Sequence, residues 1–311
     1  MHLRWIFTPS SNMNRPKSAN TAHEAYIKTI RKTEKEKLMS LWEAVFCGII
    51  QGLTEFLPVS SSGHLALAHT FFGMTSAESC LSFDILLHLA TLAVVLIVYH
   101  QDVFELCTAF FTMLRKMLGG HFHVSALNEN ERMVLLLIFA TVPLAGAFFL
   151  KDYSEWISAY PKAVGALLIF NGILLLTADR FSAVKGKGAL SVRGALGVGL
   201  FQLLATFPGI SRSGSTISGG MLFGLSRKNA VKFSFLMSIP AIVGANIVNI
   251  PEALSTPVEQ QTLGYYLIGM AAALVSGFAA MKFLAYISAK EKFGFFAYYC
   301  IVIGGATLLL R

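Results

Sequence analysis

Nine apolar segments, separated by short polar connections, fill most of this chain from residue 40 onward: roughly 40–57, 64–73, 83–99, 132–150, 163–178, 194–207, 233–249, 263–286 and 293–310. Apolar runs of that number leave too few charged side chains to cover a water-facing surface. The chain is 55% hydrophobic and only 14% charged, against about 25% charged in an ordinary soluble domain, and its mean hydropathy is +0.62. The excess apolar surface belongs in lipid, so the expected class is an all-α polytopic membrane protein. Several segments fall short of the ~20 residues that a straight span needs. Those must tilt, extend into flanking polar residues, or turn back inside the membrane. Nothing in 39–311 reads as a separate soluble domain, so it is expected to form a single integral membrane domain.

The formal net charge of +8 invites a nucleic-acid partner, but its distribution argues for none. Eight of the 25 basic residues and three of the 17 acidic ones lie in residues 1–38, which leaves 17 against 14 in the rest. Cys47, Cys80, Cys107 and Cys300 stand far apart, with no metal-ligand spacing and no disulfide framework. Residues 1–38 are a polar N-terminal extension without the apolar core of a signal peptide. Met39 opens MSLWEAVF, where the apolar pattern starts, so a start assigned too far upstream is the alternative.

Basic residues in the connections orient the chain. Segments 74–82 and 250–262 contain no Lys or Arg, whereas 179–193 holds four and 226–232 three. By the positive-inside rule the basic connections are cytoplasmic and the others external. Alternation then places the C-terminus outside, and also the start of 40–57, provided that segment turns back. The basic extension conflicts with an external N-terminus.

Sliding the chain on itself by 151 residues aligns GIIQGLTEFLPVSSSG (48–63) with GLFQLLATFPGISRSG (199–214), with seven of sixteen positions identical. Gln51/Gln202, Ser60/Ser211 and Ser62/Ser213 are among the matches, and apolar filler does not supply them. The expectation is a duplicated chain with halves at about 39–150 and 190–311. Opposite topology of the halves would bring two broken helices together near the midplane.

Both copies end in polar tips. The first offers Gln51, Glu55, Ser60, Ser61, Ser62 and His64. Gln51 and Glu55 are spaced i, i+4 on one helix face, Pro58 ends that helix, and Gly63 is expected to free the turn. An ionisable residue in an apolar segment is a functional candidate, since its burial costs several kcal/mol unless it is paired or hydrated. His88 and Asp84 form another i, i+4 pair on an expected helix, read more readily as packing than as support for the site. The second tip, PGISRSGST, supplies Ser211, Arg212, Ser213, Ser215 and Thr216, with Gly209 and Gly214 expected to let backbone N–H groups approach a ligand. A fixed cation, hydroxyls and amides suit a phosphate. Pairing of Arg212 with Glu55, or with a lipid headgroup, is the alternative.

With QGLTEFLPVSSSGH in one half and PGISRSGST in the other, the chain resembles the bacterial undecaprenyl pyrophosphate phosphatase family associated with bacitracin resistance. That family's signatures are E/Q-x-x-x-E and P-G-x-S-R-S-x-x-T. Gln51 and Glu55 fill the first; Pro208, Gly209, Ser211, Arg212, Ser213 and Thr216 fill the second, and GGMLFGLSR with Arg227 also fits. The resemblance covers about 39–311. It implies a multi-pass protein of the bacterial cytoplasmic (inner) membrane that hydrolyses undecaprenyl diphosphate on the external face, assisted by a divalent cation, Mg or Ca. Recycling of this lipid carrier for peptidoglycan synthesis, cell shape and bacitracin resistance would follow. The family fold is an interdigitated inverted-topology repeat with about six spanning helices and two re-entrant helix hairpins.

By the same analogy Ser61 is the nucleophile, Glu55 the base or metal ligand, and Arg212 the diphosphate clamp. His64 is the acid for the leaving lipid phosphate or, in the competing assignment, the nucleophile. Ser60, Ser211, Ser213 and Thr216 would bind phosphate, and Gln51 and Arg227 would support the site. Membrane lipid is the expected surrounding partner, and a homodimer is compatible with this picture. Two rivals compete. One is a polyprenyl-phosphate transporter or flippase, since inverted repeats with broken helices are also a transporter design. The other is the type 2 phosphatidic acid phosphatase family, whose later His and Asp motif this chain lacks.

Overall fold

A computed structural model of the chain describes residues 39–72, 77–185, 189–254, 260–289 and 293–309, and every regular element among them is helical. The extension expected over 1–38 lies outside the described residues, as do parts of the connections 74–82, 179–193 and 250–262. In chain order the helices are α1 (Leu41–Phe56), α2 (Ser61–Phe72), α3 (Ala77–Val98), α4 (His100–Leu118), α5 (Glu129–Thr141) and α6 (Ala147–Ser158). They continue with α7 (Pro161–Lys185), α8 (Val192–Leu204), α9 (Arg212–Leu222), α10 (Arg227–Leu254), α11 (Gln260–Ala289) and α12 (Gly294–Leu309).

Four helical stretches among the described residues are long and apolar enough to cross a membrane: Glu129–Ser158, Pro161–Phe181, Arg227–Pro251 and Thr262–Ala289. A fifth is counted if Ser82–Val98 and His100–Leu118, bent by 87° at their junction, form one span. The chain is thus a polytopic helical membrane protein with four or five apolar spans by length and composition. Two sequence segments change character in three dimensions. The run 132–150 is one apolar stretch in the sequence, yet it is interrupted by a 3₁₀ turn over Val142–Gly146 with Pro143 near its start, as expected where Pro removes a helical donor. The run after His100 carries Asp102, Arg115 and Lys116 on an amphipathic helix, which is why an apolar scan passes over α4.

Serine caps set the start of both arms at the repeat interval. Ser40 accepts from the Glu43 amide at the head of α1, and Ser191 from the Gly194 amide at the head of α8; each such cap contributes about 1 kcal/mol. Ser40 and Ser191 are 151 residues apart, as are Ser61 and Arg212, the first residues of α2 and α9. The helix starts therefore repeat at the spacing found in the sequence.

The two halves interlock. α1 packs along α11, whereas α8, its counterpart, packs against α5 and the 3₁₀ turn that follows. α7, from the connecting stretch, lies along α12 and also touches α9 and α2. Small residues make these approaches possible: a Cβ added to Gly48 on α1 would collide with the Gly269 carbonyl oxygen on α11. Close backbone approach of this kind replaces the hydrophobic drive that lipid cannot supply between helices. Phe56, fully buried at the end of α1, meets Phe235 of α10 edge-on at 5.5 Å between ring centroids and anchors the first tip.

Candidate active site

The breaks between α1 and α2 and between α8 and α9 lie against each other. α1 ends at Phe56, with Leu57 already extended. The chain then turns through Ser60, which adopts a left-handed φ of 77°, and re-enters a helix at Ser61. The sequence placed the turn's freedom at Gly63, but Gly63 is already helical and is needed for closeness. A Cβ there would sit 3.0 Å from Gly209 of the other tip. Gly209 itself takes a φ of 103°.

Hydrogen bonds cross between the tips. Gly209 N–H donates to Ser60 Oγ at 3.2 Å, and Ser213 Oγ donates to the Leu57 carbonyl at 3.1 Å. Asn171, fully buried in the middle of α7, donates from Nδ2 to the Pro58 carbonyl at 3.0 Å and accepts from the Ser211 amide at Oδ1 at 3.1 Å. One amide group thus satisfies a backbone acceptor of the first tip and a backbone donor of the second. Unpaired, each of these buried groups would cost about 1–3 kcal/mol.

Most of the hydroxyls expected to hold phosphate are spent on this framework. Ser60 also accepts from the Gly63 amide, Ser211 caps α9 through the Gly214 amide, and Thr216 bonds the Arg212 carbonyl and Ser234. All four, Ser60, Ser211, Ser213 and Thr216, are buried. The Gly209 and Gly214 amides, expected to approach a ligand, go to Ser60 and Ser211. The reason is geometric: two tips packed this tightly offer no water to their backbone groups, and short hydroxyls are the nearest partners.

The remaining polar groups converge elsewhere. Glu55, 5% exposed, accepts from Ser61 Oγ at 2.7 Å and from Gln51 Nε2 at 3.1 Å, both at Oε2, while its Oε1 is paired with Arg212 Nη2. His88 Nε2 lies 3.8 Å from the same carboxylate, with Nδ1 on the Asp84 carbonyl at 2.7 Å. The Asp84 carboxylate faces His69 instead, at 3.7 Å. His64 is bonded at Nδ1 to the Ser60 carbonyl at 2.8 Å and at Nε2 to the Tyr299 hydroxyl at 2.9 Å. Arg212 Nη1 and Gln51 Oε1 are buried without a hydrogen-bond partner among the described residues, as are Asp84 Oδ1 and His69 Nε2. The first is an unused cationic donor and the second an unused oxygen acceptor, beside a hydroxyl already bonded to a carboxylate. Such an arrangement can hold an anion at the guanidinium and take a proton from Ser61. The N-termini of α2 and α9, which start at Ser61 and Arg212, add the positive ends of two helix dipoles.

The structure therefore brings together Gln51, Glu55, Ser61 and Arg212, with His88 beside them, whereas His64, one turn further along α2, is bonded to the Ser60 carbonyl and Tyr299 instead. Arg227 stands apart, at the head of α10, with Nε 2.8 Å from Asp179 of α7. Two residues at the site carry no motif. Asn171 is readable in hindsight as an amide inside the apolar run LLIFNGILLL. Tyr299 gives no sequence signal, since a Tyr in an apolar helix is ordinary.

The family model described as bacitracin resistance protein BacA matches residues 44–306. The undecaprenyl-diphosphatase of Alkaliphilus metalliredigens (strain QYMF) is 39% identical over 274 residues, 87% of this chain and 98% of that protein. Its counterpart in Desulfosudis oleivorans is 41% identical over 269 residues, 86% and 97%, and that of Korarchaeum cryptofilum (strain OPF8) 37% over 274 residues, 88% and 100%. With the match spanning both tips and most of the helices between them, the chain belongs to the bacitracin resistance protein BacA family.

Proposed function

We propose that this chain hydrolyses undecaprenyl diphosphate to undecaprenyl phosphate and inorganic phosphate, returning the lipid carrier to cell-wall synthesis. The observation that carries this reading is the pairing, across the two tips, of a Ser61 hydroxyl bonded to Glu55 with a guanidinium that has a buried, unused nitrogen. The names of its relatives point the same way.

Ser61 Oγ attacks the terminal phosphorus, Glu55 takes its proton, and the bond to the lipid phosphate breaks. Arg212 serves both states. Without substrate it neutralises Glu55; with diphosphate bound it turns its planar fork to the phosphate oxygens. That exchange leaves Glu55 without its counter-charge at the moment a base is needed. Positioning and charge neutralisation are the main demands of phosphoryl transfer. Ser60, Ser211, Ser213 and Thr216 act by holding the tips in register, and His64 supplies the proton for the departing lipid phosphate.

A divalent cation, Mg or Ca, fits the oxygen donors present. Among the described residues no three His, Cys, Asp or Glu side chains converge on one point, but Glu55 and the unpartnered Gln51 Oε1 are hard oxygen ligands. Mg typically binds through one or two such groups together with substrate phosphates. When bound it would neutralise charge on the transferring phosphoryl group.

For topology we read six crossings: α3, α5 with α6, α7, α10, α11 and α12. The hairpins α1–α2 and α8–α9 re-enter from the external and cytoplasmic sides. This agrees with the Lys and Arg content of 74–82, 179–193, 226–232 and 250–262, and it would open the site to the external face of the cytoplasmic membrane. The repeat in helix starts and the interlocked packing support it.

Phosphate release from undecaprenyl diphosphate by purified protein in detergent, with and without chelator, tests the proposal. Turnover that falls on chelation and returns with Mg or Ca is expected. Binding without turnover in detergent, where no second compartment exists, would point to a polyprenyl-phosphate transporter instead.

A further inference from the structure

His64 is held at both ring nitrogens. A carbonyl oxygen only accepts, so Nδ1, bonded to the Ser60 carbonyl, carries a hydrogen in every protonation state. Nε2 is therefore the one ring atom that exchanges a proton, and it faces the Tyr299 hydroxyl at 2.9 Å. The two rings also stack, with planes 11° apart and centroids at 5.6 Å. Tyr299 is fixed by that stacking as well as by the hydrogen bond. A phenol hydroxyl both donates and accepts, so it can pass a proton on in one concerted shift.

Burial gives the pair a direction. Ser60, on the inner side of His64, is 1% exposed, whereas Tyr299 is 36% exposed. The path from Nε2 leads outward from the packed tips, to the side where the bulky lipid half of the substrate must remain. Any proton leaving His64 for the lipid phosphate meets Tyr299 first.

We propose that Tyr299 is a catalytic proton relay between His64 and the leaving lipid phosphate, a role that rests on the reading of His64 as general acid. As the phosphorus–oxygen bond to the lipid phosphate breaks, that oxygen takes the Tyr299 hydroxyl proton. Tyr299 Oη takes the Nε2 proton of the imidazolium, which ends neutral with Nδ1–H still on Ser60. In the second step water attacks the phosphoserine. One of its protons returns through Tyr299 to His64, while Ser61 regains its own from Glu55, and the site is reset.

The test is a double-mutant cycle on the full chain with Tyr299→Phe, His64→Ala and the double variant. Turnover is measured on undecaprenyl diphosphate and on an aryl diphosphate whose leaving group needs no proton. Phe keeps the ring stack and loses only the hydroxyl. Tyr299→Phe is expected to lower kcat on the lipid substrate by about 10–100-fold, within the range that general acids contribute, with KM changed little and the aryl substrate spared. The double variant should be no slower than His64→Ala. Wild-type kcat in Tyr299→Phe, equal loss on both substrates, or multiplied losses in the double variant would each overturn the relay. If turnover of the aryl substrate is undetectable, additivity on the lipid substrate decides alone. If His64→Ala is equally slow on both substrates, the acid role of His64 fails and the relay with it. If His64→Ala depends on the leaving group and Tyr299→Phe does not, only the relay fails.

Discussion

Glu55 and Arg212 are 157 positions apart in the chain and meet only because the two tips dock. Removing one member of a buried pair leaves the other charge uncompensated, at about 3–5 kcal/mol. Arg212→Ala is therefore expected to lose both turnover and thermal stability. Arg212→Lys keeps a cation beside Glu55 and should melt near the wild type while turning over about 10²-fold slower, because an ammonium lacks the fork. Wild-type turnover in Arg212→Lys would show that the fork is not needed. Asn171→Ala should cost about 2–4 kcal/mol by orphaning the Pro58 carbonyl and the Ser211 amide, and should lower kcat more than KM, as read from steady-state kinetics and melting in detergent. Gln51, Glu55, Ser61 and Arg212, which the structure brings into contact, stand out in the sequence because polar and ionisable side chains inside apolar segments are costly unless paired. Asn171 and Tyr299 do not. Their roles come from α7 and α12 packing on the tips, and no local pattern encodes that contact.

At the scale of elements, each tip is held by an arm that packs on a helix from the opposite half, so helix approach sets the site geometry. Gly48 lies against the Gly269 carbonyl with no room for a side chain. Gly48→Val should separate α1 from α11, lower the melting temperature by an amount corresponding to at least about 1–3 kcal/mol, and reduce turnover although it touches no reacting group. Unchanged melting would show that α1 tolerates displacement. The segments 40–57 and 293–310 anticipate α1 and α12 to within a residue or two, since Ser40 caps one and the apolar run itself bounds the other. α4 was passed over for the opposite reason: Asp102 and Glu105 on one side and Arg115 and Lys116 on the other leave only residues 106–114 uncharged between them, far short of a span.

For the whole molecule, the repeat at 151 residues is the ground of the proposed topology. If α4 lies on the cytoplasmic side, Cys107, the exposed free thiol of that helix, should resist a membrane-impermeant maleimide in intact cells and react after permeabilisation, measured in a Cys80→Ser chain. Labelling from outside would invert the assignment. A chain begun at Met39 is expected to insert and turn over as the full chain does, assayed by membrane fractionation and phosphate release; loss of insertion would make residues 1–38 a working part of the protein. The central claim is that Ser61, activated by Glu55 and faced by Arg212, cleaves the diphosphate. The most direct measurement is phosphate release from undecaprenyl diphosphate by purified wild-type and Ser61→Ala chains of equal melting temperature. The wild type should release one phosphate per lipid and Ser61→Ala essentially none. Substantial turnover by Ser61→Ala, or a phosphohistidine trapped at His64, would contradict it.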